Sequence, residues 1–81
     1  MRVRVRLFAS LREAFGRHET RLDLPEGSTA EGAWLALVAD APALAERRQS
    51  LGVAVNRVYA SFETVLRDAD EVVFIPPVSG G

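Results

Sequence analysis

From Arg2 to Leu7 charged and apolar residues alternate strictly, with Arg2, Arg4 and Arg6 set against Val3, Val5 and Leu7. That period of two predicts a strand whose valine and leucine face meets a core while the arginines face outward. Ser10-Leu-Arg-Glu13 reads as a capping box opening a short helix, which Gly16 closes as a left-handed cap. Alternation returns from Glu19 to Leu24, with Thr20, Leu22 and Leu24 on one face, so the first two strands form an opening hairpin. After a Pro25-Glu-Gly27 turn the period changes. Ala30, Ala33, Trp34, Leu37 and Val38 recur at helical spacing behind a second capping box, Ser28-Thr-Ala-Glu31. Asp40-Ala-Pro42 ends that helix, and Pro42 suits the first position of a shorter one. Leu51, Val53 and Val55 mark a third strand closed by Asn56, Val58 to Ala60 a short fourth, and Glu71 to Ile75 a final apolar strand after the Asp68-Ala-Asp70 turn.

The order β-β-α-β-(β)-β with one long helix predicts an α+β fold. Its arrangement is the β-grasp: a mixed sheet of four to five strands, one main helix packed across it, and short accessory helices. Residues 1–75 form the expected domain and 76–81 a C-terminal tail. Eighty-one residues suffice for one small core, in which each large apolar side chain counts. Trp34 sits on the apolar stripe and reads as core.

Eleven acidic and ten basic residues leave a net charge of −1, without the basic surplus that nucleic acid or an anionic membrane would select. Arg2, Arg4 and Arg6 are expected to meet the Glu19/Arg21/Asp23 side of the neighbouring strand as cross-strand partners. All ten basic residues are arginine, so no side-chain ammonium can accept an isopeptide bond or form a Schiff base. Cysteine is absent too, which removes disulfides, thiolate metal ligands and persulfide chemistry. His18 has no neighbouring nucleophile and Ser79 no base, while Asp68, Asp70 and Glu71 lack the further ligands of a calcium loop; no metal site is expected. The broken apolar pattern at the N-terminus lacks a signal-peptide core, and no apolar run is long enough to cross a bilayer, so the expected compartment is the cytoplasm.

Val72 to Gly81 carry no charged side chain. Pro76-Pro77 stiffens the exit from the last strand, and the segment from Pro76 to Gly81 can reach about 20 Å when extended. Gly80-Gly81 presents bare backbone, which a partner's walls can approach from every side.

Phe8-Ala-Ser-Leu-Arg-Glu13, Leu24-Pro-Glu-Gly-Ser-Thr29, Val53-Ala-Val-Asn56, Leu66-Arg-Asp-Ala-Asp-Glu-Val72 and Ile75-Pro-Pro-Val-Ser-Gly-Gly81 carry a resemblance along the whole chain. It resembles the small, sulfur-carrying subunit of molybdopterin synthase, a ubiquitin-like β-grasp family. Ala69 stands where that family usually has glycine, a change that a type I turn would tolerate. The resemblance implies that an adenylyltransferase of the ubiquitin-activating kind uses Mg-ATP to adenylate the Gly81 carboxylate. A sulfur donor protein then converts it to a thiocarboxylate. The large subunit, in a heterotetramer of two small and two large chains, takes the tail of Pro76, Pro77, Val78, Ser79 and Gly80 into its active site. There sulfur passes to cyclic pyranopterin monophosphate, and two deliveries build the dithiolene for molybdenum or tungsten. No cofactor is bound by the chain itself, and the catalytic side chains belong to its partners. The same resemblance assigns Phe8, Tyr59 and Ile75 to a hydrophobic docking patch. A sulfur carrier for another pathway, or a protein modifier conjugated through Gly81, is the alternative implied.

Overall fold

The computed structural model describes residues 1–77; Val78, Ser79, Gly80 and Gly81 lie outside the described residues. Five strands, β1 (Arg2–Leu7), β2 (Glu19–Asp23), β3 (Gly52–Val55), β4 (Val58–Ala60) and β5 (Glu71–Ile75), form one sheet in the order β2-β1-β5-β3-β4. β1 and β5 run parallel at its centre, whereas β1–β2, β3–β5 and β3–β4 are antiparallel. The helix α2 (Ala30–Asp40) lies across one face; α1 (Ala9–Phe15) and a 3-10 helix (Pro42–Ser50) are the accessory elements. This is the ubiquitin-like β-grasp architecture.

Burial follows the period-two reading. Val3, Val5, Leu7, Leu22, Val53, Val72 and Phe74 point inward, where they meet Ala30, Ala33, Trp34 and Leu37 of α2. Trp34 is fully buried and sets the edge of its ring against Phe74, with centroids 5.1 Å apart and planes at 70°. Phe62 stacks on Phe74 from the loop side at 6.0 Å. The Arg48 guanidinium lies 3.4 Å from the centre of the Phe62 ring and holds Glu31 of α2 at 2.6 Å. One arginine thus fastens the 3-10 helix to both the core's rim and the main helix.

Both capping boxes form differently from expectation. Phe8, not Ser10, is the N-cap of α1, and no side chain caps it. The chain turns sharply at Ala9 (φ 50°), and the Phe8 carbonyl accepts from Leu11 and Arg12, so Ser10 already lies inside the first turn. At α2 the cap is Thr29, one residue beyond Ser28, and its hydroxyl accepts from the Gly32 N–H at 3.2 Å. The remaining early donors go to the 61–66 loop: Ala30 N–H to the Thr64 carbonyl and Glu31 N–H to that of Phe62. Glu31 is thereby released to hold Arg48. Gly16 does close α1 in the left-handed region, at φ 91°.

The Arg67–Asp70 turn also differs. Ala69, its third residue, has φ 71°, which is a type II and not a type I geometry. Alanine is strained there, so Ala69→Gly is expected to raise the unfolding free energy by about 0.5–1 kcal/mol, read by urea denaturation. An unchanged or lower value would show that flexibility gained in the unfolded chain cancels the relief.

Candidate functional site

The sheet's second face carries no helix. Along β5, Glu71, Val73 and Ile75 alternate onto it, and β1 supplies Arg2, Arg4 and Arg6, with Phe8 just past its end. Leu7 is paired with Phe74, so Phe8 and Ile75 follow together at the end where the chain leaves β5. Phe8 is 46% exposed and Ile75 partly covered. Gly52, opposite Ile75, has no side chain to shield it, and its Cα hydrogens face the isoleucine. Tyr59 is 83% exposed and joins the same face one row lower, through Ala54 and Val73. The three residues named from sequence therefore lie on one face: Phe8 and Ile75 as neighbours, Tyr59 displaced across β3 onto the edge strand. Leu35, Val58 and Val65 are exposed apolar residues as well, but they belong to other surfaces and make no continuous patch with these.

Pro76 and Pro77 leave β5 beside a cleft of about 210 Å³ between α1 and the end of the 3-10 helix, lined by Ser10, Arg47 and Ser50 among others. Of the tail named from sequence, these two prolines alone are described; Val78, Ser79, Gly80 and Gly81 are not.

The outer face also holds a residue that sequence reading missed. Glu71 is only about 8% exposed, yet three arginines converge on it: Arg4 at 2.9 Å, Arg57 at 3.6 Å and Arg6 at 3.8 Å. Asn56 ties down its backbone, accepting the Glu71 N–H at 2.9 Å and donating its own N–H to the Glu71 carbonyl. This corrects the expected pairing of the arginine stripe. Arg2 does meet Asp23 on β2, at 2.9 Å, but Arg4 stands opposite Arg21 and turns with Arg6 the other way, to Glu71 on β5. A buried carboxylate attracts them more strongly than an exposed one, because less water screens it. The clue in the sequence was that Glu71 falls on the polar phase of β5, which the apolar run around it conceals.

Asp23 is held below its ordinary pKa by its hydrogen bond from Arg2 and then by that arginine's charge. The turn carboxylates are spent within the fold: Asp68 accepts the Arg2 N–H and Asp70 the Arg67 N–H, each at 2.8 Å, and the other Asp70 oxygen accepts the Asn56 side-chain amide at 2.9 Å. Among the described residues no group of three His, Cys, Asp or Glu is placed to hold a metal ion, and no helix is long and apolar enough to cross a membrane.

A helix-free sheet face, a buried carboxylate ringed by arginines and a proline-led exit offer a surface to dock against, and the described residues bring together no catalytic constellation. The matching family model, described as the ThiS family, spans residues 5–81. The chain belongs to the ThiS family. Within it, this chain is 37% identical over 79 residues to the molybdopterin synthase sulfur carrier subunit of Arabidopsis thaliana, covering 98% of this chain and 82% of that one. It is 40% identical over 81 residues to the protein of the same description from Escherichia coli K12, covering 98% and 99% respectively. Among solved structures, SAMP1 of Haloferax volcanii superposes with a TM-score of 0.92 at 31% identity over the full length of both chains. A second structure of that organism's small archaeal modifier protein 1 gives 0.88 at 29% identity, covering 95% of this chain and 98% of that one.

Proposed function

We propose that this ThiS-family chain is the sulfur carrier subunit of a molybdopterin synthase, with the Gly81 carboxylate as the group that is loaded and discharged. The observation that carries the reading is a family match that runs through the C-terminal Gly80-Gly81 itself, beside relatives described as that subunit over 98% of the chain. An α-carboxylate with a pKa near 3.5 is ionised at neutral pH and resists nucleophiles. Attack of its oxygen on the α-phosphorus of Mg-ATP, held by a separate adenylyltransferase, gives an acyl-adenylate and releases pyrophosphate. A persulfide sulfur on a donor protein then displaces AMP to give an acyl disulfide, and a thiol attacks the donor-side sulfur, forming a disulfide and freeing the Gly81 thiocarboxylate. The loaded tail enters the large subunit, where its sulfur displaces an oxygen substituent of the pterin precursor, and water then cleaves the acyl C–S bond, leaving the sulfur on the pterin and returning Gly81 to the carboxylate. Phe8, Tyr59 and Ile75 form the docking patch for both partners in this reading, and Pro76 to Gly80 lie in their channels. Residues 1–75 act as the docking domain and 76–81 as the arm.

A second reading has its own support: the likeness to small archaeal modifier protein 1 favours conjugation of Gly81 to other proteins. Intact-mass spectrometry of the chain isolated from its host separates the two. A carrier shows a fraction in which one oxygen has been exchanged for sulfur at Gly81. A modifier shows covalent adducts of whole chains to other proteins and no such fraction.

A further inference from the structure

The outer sheet face is charged against the grain of the chain. Arg2, Arg4, Arg6, Arg21 and Arg57 share it with Glu19, Asp23 and Glu71, with Asp68 at its edge, a surplus of one positive charge on a chain whose net charge is −1. Three of these arginines occupy positions that stability alone would disfavour. Arg4 and Arg21 stand directly opposite one another across β1 and β2, where like charges repel. Arg57 has φ 69° at the second position of the Asn56-Arg57 turn, in the left-handed region where glycine is preferred. Its side chain is 81% exposed, and its 3.6 Å contact with Glu71 leaves most of the guanidinium free to solvent. Arg6 is also under-bonded, since its Nε has no acceptor among the described residues. Beside them, Arg2, Arg4 and Arg21 line an open hollow of about 340 Å³ together with Asp68, whose carboxylate accepts the Arg2 N–H and leaves the guanidinium of Arg4 and that of Arg21 to face a partner.

We infer that this arginine field is a second recognition element for the large subunit, whose docking surface presents carboxylates next to its apolar seat. The inference rests on the carrier reading above. Outer-face residues two apart on a strand are separated by about 6.6–7 Å, so Arg6 and Arg4 lie about 7 and 13 Å from Phe8 along β1. The matching acidic groups belong at those distances from the apolar seat, with others facing Arg57 and Arg21. A field of this kind speeds encounter and fixes orientation, and Glu71 keeps the arginines from splaying apart before contact. Carboxylates interspersed among the arginines, and the apolar row alongside, suit a protein surface better than a phosphate backbone.

The test uses the full chain and the large subunit of the same organism, with association rates followed by stopped flow at low and high salt. The double variant Arg57→Gly/Arg21→Gln removes two exposed charges while easing the Asn56-Arg57 turn, so its melting temperature should hold or rise. Its association rate constant is expected to fall about tenfold at low salt, with the gap closing near 1 M salt, where the Debye length is about 3 Å. Dissociation should change far less. Equal rates for wild type and variant, or a gap independent of salt, overturn the arginine field while leaving the carrier reading intact. Comparable affinity of the wild type for a single-stranded oligonucleotide would overturn it in favour of nucleic acid. If the wild type fails to bind the large subunit at all, the carrier reading falls and this inference falls with it.

Discussion

Deleting Gly81, or capping its carboxylate as an amide, will abolish sulfur transfer while leaving the melting temperature where it was. The amide cap removes the oxygen nucleophile that must attack ATP, and deletion leaves the Gly80 carboxylate in its place, about 3.5 Å short of the reacting phosphorus. No side chain can substitute, because the chain has no cysteine to carry sulfur as a persulfide. Stability should be indifferent, since among the described residues regular structure ends with β5 at Ile75 and two prolines follow, the second of them exposed. A single-turnover assay with the adenylyltransferase, run beside a thermal melt, reads both halves. Sulfur transfer by the truncated chain at the normal rate would end the carrier hypothesis. A large drop in melting temperature would instead make the tail part of the fold.

The second large effect concerns the opposite face of the sheet. Trp34→Ala should cost about 3–5 kcal/mol, the range for truncating a large buried aromatic residue. A chain of this size is stable by only about 4–12 kcal/mol, so the variant should melt at least about 12 °C lower or fail to fold. The loss is concentrated because Trp34, the largest side chain in the core, sets α2 against Phe74, and Phe74 in turn supports Phe62 and the loop beneath Arg48. Phe8→Glu is the contrasting change. Phe8 is about half exposed on the outer face, so its replacement should scarcely move the melt yet weaken binding of the large subunit by about 2 kcal/mol, roughly thirtyfold. A melt lowered by Phe8→Glu but not by Trp34→Ala would mean that the two faces are reversed. Normal binding by Phe8→Glu would remove that residue from the docking patch.

Much of this fold was legible because its core obeys simple periods. Val3, Val5 and Leu7 announced a half-buried strand, and Ala30, Ala33, Trp34 and Leu37 the inner stripe of the helix, as the structure has them. Gly16 and Pro42 likewise ended and began the elements they were expected to. What escaped was decided by tertiary contact. The Ser28 motif looked complete in itself, yet the 61–66 loop, more than thirty residues away, supplies the acceptors and shifts the cap to Thr29. Glu71 looked like the polar lip of an apolar strand. Its importance arises only when β5 is laid between β1 and β3, bringing Arg4, Arg6 and Arg57 around it. Ala69 needed a backbone angle that no spacing reveals. The tail was the reverse case: its chemistry is read from residue types alone, with Gly80-Gly81 beyond any periodic element.

The parallel pairing of β1 with β5 has a bearing on synthesis. Arg4 and Glu71 are 67 residues apart, so the centre of the sheet is completed by one of the most distant contacts that the chain can make. Closing so long a loop is slow compared with local helix formation, and it cannot begin until β5 has been synthesised. Phe8 hangs on the end of β1 and Ile75 on the end of β5, so the two become neighbours only after that closure. A nascent or misfolded chain can expose glycines, but it has no assembled face to present. On the carrier reading proposed above, docking would act as an inspection step, committing ATP and sulfur only to molecules whose first and last strands have already found each other.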